Sequence, residues 1–256
     1  MAVQDDLAGA LSAIAAATNT LNTIGAQATG AISAVTKAYN DRIASLRTLF
    51  YVNAITGSDA AAGTSAAPLR SISEAVRRTP YGGFCRVELR SAYTFTFAEN
   101  LTLDKVDLTV IGDGVTRFPV TFERRVKDNI TPAVREAAAI KFLRGGCINF
   151  CFIELVAPAL DSFSQYQDYG SGCLFTSVQL AYGVSSISFL LCNINLPTTP
   201  FGSLLQSLTQ VSFIVEQCTL NGPVTSLNGR VVFGRTDSAG VAASTVSGLM
   251  TNLVTV

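Results

Sequence analysis

Phe50-Tyr51-Val52-Asn53, Gly57-Ser58-Asp59, Gly63-Thr64 and Pro68-Leu69-Arg70-Ser71-Ile72-Ser73-Glu74-Ala75-Val76 form a joint between two kinds of sequence. Before the joint lies an Ala-rich segment with helical spacing. After it come short alternating apolar runs. The joint itself reads as a strand, a glycine-punctuated loop and a short amphipathic helix. Ser71 or Ser73 supplies the helix start, with Glu74 in the first turn. Pro80 and Gly82-Gly83 stop it.

Working back from the joint, residues 1–49 carry a 3-4 spacing through Leu7, Leu11, Ile14, Thr18, Leu21, Gly25, Ala28, Ile32, Val35, Tyr39, Arg42, Leu46 and Leu49. That alternation averages 3.5 residues, the period of a coiled-coil seam. One helix cannot cover such a stripe alone, so the spacing predicts partner helices, with packing on the chain's own body as the other solution. The expected oligomer seam is Leu7, Leu11, Ile14, Leu21, Ile32, Val35, Tyr39, Leu46 and Leu49. Thr18, Gly25 and Arg42 weaken it, and flanking Ala, Thr, Ser and Asn leave charge little say in the register.

Working forward from Phe84, the period changes to two. Arg86-Val87-Glu88-Leu89, Tyr93-Thr94-Phe95-Thr96-Phe97, Leu101-Thr102-Leu103 and Leu108-Thr109-Val110-Ile111 each alternate, placing one face inward and one outward. Gly112-Asp113-Gly114 is a turn, and it lacks the lysine and spacing of a phosphate loop. Residues 123–137 hold the densest charge and read as a solvated loop, or a lateral loop that contacts a partner or glycan. Later runs repeat. Ile187–Leu196 aligns with Val211–Leu220 at an offset of 24 residues, and Ile148–Leu155 has the same shape. Recurrence of this kind marks stacked coils, each covering its neighbour's open face. At roughly 20 to 25 residues per coil, Phe84 to Val256 would hold about seven or eight coils. Residues 161–172 read as a flank loop.

The entry segment resembles that of right-handed parallel β-helix proteins of the pectin-lyase-like class, and in particular bacteriophage tailspikes and tail fibres. There a Tyr-Val-Asn start leads through a Gly-Ser-Asp turn, a Gly-Thr and a Pro to a helix that caps the solenoid. Tyr51-Val52-Asn53, Gly57-Ser58-Asp59, Gly63-Thr64, Pro68 and the helix after Ser71 carry the resemblance here, over roughly 40 residues. It implies a mainly β chain in three parts: an attachment helix over 1–49, an entry strand, loop and capping helix over 50–83, and a short solenoid over 84–256. It also implies a homotrimer, because β-helix phage spikes are typically trimers. The implied role is a tail spike or tail fibre that grips the particle through its N-terminal helices, at a tail adaptor or the major capsid protein, and adheres to the host surface. A capsid decoration (cement) protein is the alternative, and a polysaccharide depolymerase the second alternative. The implied location is the virion, assembled in host cytoplasm.

Composition narrows the chemistry. The 256 residues contain no histidine, which removes Ser-His-Asp triads, Cys-His dyads and histidine metal sites. Lysine plus arginine equals aspartate plus glutamate at 18 each, so no net field draws the chain to nucleic acid or an anionic membrane. Charged residues are only 14%, a deficit that burial between subunits or a large core would explain. No run reaches membrane-spanning length, and Asp5 and Asp6 stand where a signal peptide would be basic. Cys85, Cys147, Cys151, Cys173, Cys192 and Cys218 form no Cys-x-x-Cys and sit mostly in apolar runs, which suits a reducing assembly compartment. No cofactor is expected. Glycan-cleaving β-helices usually need acidic residues. The candidates are Asp104, Asp107, Asp113, Glu123, Glu154, Asp161, Asp168 and Glu216. Their spacing matches no catalytic signature, and turn and surface roles explain them. Tyr166, Tyr169 and Tyr182 are the candidates for stacking on a sugar ring.

Overall fold

The structure, a computed structural model, describes residues 2–99, 101–127, 134–158, 173–177, 185–197, 204–206, 211–221, 227, 249–251 and 253. The chain divides into two units, Met1–Ser45 and Leu46–Val256.

The first unit is a single helix, α1 (Ala2–Ser45, 44 residues), with Asp5 in its first turn and Arg42 in its last. Its alanine content favours helix, and its length passes the threshold below which isolated helices melt. Thr18, Thr20, Thr23 and Thr29 each donate a hydroxyl proton to the carbonyl four residues back. This satisfies polar side chains within a segment poor in charge.

The second unit is mainly β and is built as a parallel β-helix. Its first sheet comprises β1 (Arg47–Val52), β2 (Phe84–Leu89), β5 (Asp107–Ile111), β10 (Gly146–Cys151), β13 (Ser185–Leu190), β16 (Val211–Glu216) and β18 (Leu249–Thr251), paired in that order. The second comprises β3 (Tyr93–Phe95), β6 (Pro119–Phe122), β11 (Glu154–Val156), β14 (Asn193–Asn195) and β17 (Thr219–Asn221). The third comprises β4 (Thr102–Leu103), β9 (Ile140–Phe142), β12 (Phe175–Ser177) and β15 (Leu205–Gln206). All pairings in these three sheets are parallel. Each complete coil visits the three sheets in the same order.

Stacking is in register. Val110, Phe150 and Phe189 form one inward column, and Leu108, Ile148, Ile187 and Phe213 another. Aromatic rings tie the sheets together across the interior. Phe150 lies 5.2 Å from Phe189 in a near-parallel stack, and Phe175 of the third sheet meets both edge-on at 5.9 and 6.1 Å. Phe95 stacks on Phe122 at 5.0 Å, and Phe122 reaches Phe175 at 6.1 Å.

Register and coil length depart from the repeat read in sequence. Ile187 faces Phe213 and Ser185 faces Val211, an offset of 26 and not 24. The error is even, so inward residues stay inward despite the slip. Coils are longer and less equal than 20 to 25 residues. Phe84 faces Asp107 at an offset of 23, but Leu108 faces Ile148 at 40. From Phe84 onward the described residues contribute six rungs to the first sheet, with β1 a seventh before them. Much of the longest coil is an antiparallel hairpin, β7 (Arg124–Lys127) with β8 (Val134–Ala137), where a charged loop was expected. Arg125 pairs with Glu136 and Val126 with Arg135 across the hairpin, so the run read as a loop in sequence is strand.

The entry follows the reading of the joint, with one adjustment. Strand β1 starts at Arg47, so the boundary falls at Ser45 and not at residue 49. Asp59 ties the loop to α2 (Ile72–Arg78): its carboxylate accepts from the Arg70 and Ser71 amides at 3.0 and 2.8 Å and from the Ser71 hydroxyl at 2.9 Å. Ser71 is the N-cap, accepting from the Glu74 amide at 3.2 Å. Ile72, Ala75 and Val76 form the buried face of α2.

Corners between the first and second sheets are tight. Phe152, Leu191 and Gln217 follow β10, β13 and β16 with φ of 53 to 55°, as does Lys105 before β5. Left-handed backbone costs a non-glycine residue roughly 1–2 kcal/mol. We therefore expect Lys105→Gly, at an exposed corner, to raise the thermal midpoint, with a gain of up to about 1 kcal/mol. Phe189→Ala should lower stability by about 3–5 kcal/mol, because it empties the centre of the aromatic column. Chemical denaturation of both variants checks the two signs.

Candidate functional site

Three surfaces present unspent chemistry. The first is the apolar stripe of α1. Leu7, Leu11, Ile14, Leu21, Ile32, Val35 and Tyr39 of the expected seam lie on this helix and are all exposed. Leu46 and Leu49 do not belong to it. The helix stops at Ser45, Leu46 sits in the following turn, and Leu49 projects from β1, where it is half exposed. The 3-4 pattern ran on across the boundary because strand residues can fall in helical phase by chance. Val3, Ile24 and Ile43 join the stripe, also exposed. Leu21, Ile32 and Ile43 recur every eleven residues, as do Ile24 and Val35. That spacing follows a straight α-helix closely and suits straight or right-handed packing better than a left-handed supercoil.

The second surface is a groove of about 390 Å³ on the outer face of the first sheet, lined by Arg47, Leu49, Phe84, Arg86, Asp107, Thr109 and Asn149 among others. Its walls are outward residues of successive strands. Ser188 donates to Asn149 at 2.6 Å, and Asp107 accepts from the Cys147 amide at 3.0 Å.

The third is a polar cleft of about 630 Å³ at the capped end, lined by Asp59, Arg70, Ser71, Ser73, Glu74, Arg77, Tyr93, Thr94, Thr96 and Glu99. Glu74 receives Arg77 through two contacts at 2.6 Å and Arg78 at 2.7 Å. These guanidinium hydrogen bonds hold its carboxyl down at about 2. Arg78 also donates to the Ala61 and Asp59 carbonyls, stapling the loop to α2. Deeper in, the Tyr93 hydroxyl accepts from the Ile72 amide at 2.9 Å and donates to Glu99 at 2.6 Å. Burial pushes the Glu99 carboxyl above the ordinary glutamate value, and burial with the Glu99 charge pushes the Tyr93 phenol up. The second Glu99 oxygen and the Ser73 hydroxyl are buried without a partner.

The carboxylates singled out in sequence are scattered. Asp104 pairs bidentately with Arg144, one contact at 2.7 Å, while Asp107 holds the Cys147 amide. Asp113 caps its turn through the Val115 and Thr116 amides at 2.9 and 2.6 Å. Glu123 accepts from the Phe97 amide at 2.8 Å. Glu154 starts β11 and Glu216 ends β16. Asp161, Asp168, Tyr166, Tyr169 and Tyr182 lie outside the described residues. The carboxylates that do converge, Asp59, Glu74 and Glu99, were not among the candidates. Glu74 was legible only as a helix-start residue, and the pairing of Glu99 with Tyr93 crosses a turn that no motif announces.

Among the described residues no group of three or more Cys, Asp or Glu is placed to hold a metal ion. No described helix is long and apolar enough to cross a membrane. No family model matches the chain, and no curated protein matches it. Among solved structures, a rhamnogalacturonan lyase is similar at 12% identity and a TM-score of 0.41, over 80% of this chain and 49% of that one. The chain thus spans about half the length of that structure.

The Glu99 shift has a signed consequence. A carboxyl whose folded pKa is raised adds stability at acid pH and loses it as pH rises through the folded value. Glu99→Gln, which keeps the shape and the Tyr93 contact without the charge, should melt above the wild type at pH 8. The difference should shrink as pH falls to about 4, near the ordinary carboxylate range. Calorimetry across that range checks it; a variant less stable at every pH would contradict it.

Proposed function

We propose that this chain is a trimeric phage virion protein, a tail spike or tail fibre whose α1 helices associate and grip the particle while the β-helix faces the host surface. The observation that carries the reading is a helix of 44 residues with an exposed apolar stripe, joined to a solenoid whose own interior is already filled. A helix with such a stripe gains most by burying it against like helices. Three copies rest on the resemblance of the entry segment, as does the virion location. Cys85, Cys147, Cys151, Cys192 and Cys218 are free thiols, which fits assembly in a reducing host cytoplasm. Adhesion by three identical bodies would be multivalent, so weak contacts to a host glycan would suffice. The capped-end cleft and the outer groove are the surfaces on offer for them.

A cement protein bound across the capsid is the second reading. The balance of 18 basic against 18 acidic residues favours it, since it gives no net field toward a charged host surface. Depolymerase activity has less support, because the carboxylates that converge at the cap are already engaged by arginines, backbone amides or Tyr93.

Two measurements test this. Sedimentation should give a trimer for the full chain and a monomer once residues 1–45 are removed or Leu21 and Ile32 are both changed to Asp; a trimer that survives both changes rules out helix-driven assembly. Quantitative mass spectrometry of purified particles should give a small copy number relative to the major capsid protein for a spike. A number comparable to that protein would favour cement, and absence from particles would overturn both.

A further inference from the structure

We propose that Cys192 and Cys218 form an oxidation site, in which thiol–disulfide exchange with a small soluble disulfide closes a covalent staple between two successive coils. The inference does not depend on the particle reading, since it follows from the solenoid alone.

The two residues occupy the same place in adjacent coils. Each follows a left-handed corner residue, Leu191 or Gln217, between the first and second sheets. Register on both sides of the corner aligns them: Leu190 faces Glu216, and Asn193 faces Thr219. Stacked residues in neighbouring parallel strands lie about 4.8 Å apart, within the roughly 4.4–6.8 Å that a disulfide spans between Cα atoms. The side chains meet as well. The Cys192 amide donates to the Cys218 sulfur at 3.4 Å. The Cys192 thiol lies 3.3 Å from the Phe150 and Leu190 carbonyls, and the Cys218 thiol 3.4 Å from Phe189 and 3.3 Å from Glu216. In the preceding coil the equivalent position is Ile153, so the ladder begins with this pair.

Accessibility orders the chemistry. Cys192 is buried and Cys218 half-buried, so the outer thiol reacts first. Hydrogen bonding from Cys192 also favours the Cys218 thiolate. With oxidised glutathione, the Cys218 thiolate attacks one sulfur of the reagent. A mixed disulfide forms, and one glutathione leaves as thiolate, taking up the proton Cys218 lost. That step removes the contact which most strongly holds Cys192 protonated. Cys192 then gives up its proton and attacks the Cys218 sulfur. The intramolecular disulfide forms, and the second glutathione is expelled as thiol. The chain loses two hydrogens, and one glutathione disulfide becomes two thiols. A protein assembled in a reducing compartment and released into an oxidising one would acquire the staple after folding, without any rearrangement of the coils.

The test uses the full chain, purified reduced and incubated folded with oxidised glutathione. Peptide mapping without reductant should find Cys192 joined to Cys218. The thermal midpoint should rise by several degrees and return on adding dithiothreitol. Cys192→Ala should instead retain glutathione on Cys218, and Cys218→Ala should leave Cys192 unmodified. Should Cys192→Ala fail to fold, a timed alkylation quench of the wild type serves, with Cys218 blocked before Cys192. Persistent glutathione on wild-type Cys218, a link from Cys218 to Cys151, or both thiols unchanged would each overturn the proposal.

Discussion

A single coil of this solenoid has no interior of its own. Its inward side chains have neighbours only above and below, and its backbone finds hydrogen-bond partners only in the next coil. Everything else in the body answers that constraint. Inward columns are mostly aliphatic or aromatic, with Ser185 a buried exception, and phenylalanines reach from one sheet to another across the interior. Corners must be short enough to keep successive strands stacked, which forces Phe152, Leu191 and Gln217 into left-handed backbone at a local cost that the ladder outweighs. Where a coil carries extra residues, as between β6 and β9, they leave as a hairpin and the register resumes beyond it.

The first coil lacks a neighbour on one side, and the joint closes it. Leu69 and Ile72 are fully buried at that end, and α2 lies over it. Holding the cap needs polar bonds, because a loop of small residues has little to bury. Asp59, Ser71, Glu74 and the two arginines supply them, mostly near solvent, where such bonds fix geometry more than they add stability. Tyr93 and Glu99 do the same deeper in, with burial opposing the Glu99 charge. The same groups leave a hydroxyl-rich cleft, so closure of the end and a surface able to hydrogen-bond a polar ligand arise together.

The helix and the body are opposites. The body buries most of its described apolar residues within one chain, with Ile55, Phe84 and Val115 among those left exposed, while α1 displays its own along most of its length. With net charge zero and few charged residues, the association proposed for α1 would rest on burial of the stripe more than on electrostatic steering. An eleven-residue recurrence sets what that burial can look like, because it keeps the stripe on one face of a straight helix and needs no supercoil.

Helix, strands and stacked coils could be read from local pattern together with the resemblance of the entry segment. Period 3.5 before the joint and period 2 after it separate helix from strands, and the inward parity of each strand survives even where the alignment slipped from 26 to 24, since both are even. A helix start at Ser71 or Ser73, the Asp113 turn and the likeness of Ile148–Leu155 to Ile187–Leu196 were legible because they are local or repeat in phase, and the structure chose Ser71. Tertiary structure alone decided what depends on long-range stacking. It ended α1 at Ser45 and placed Leu49 in a strand, because pairing with β2 outweighs helical phase. It brought Asp59, Glu74 and Glu99 to one cleft and Cys192 onto Cys218. Those meetings depend on coil length, and coil length is set by insertions that carry no periodic signal of their own.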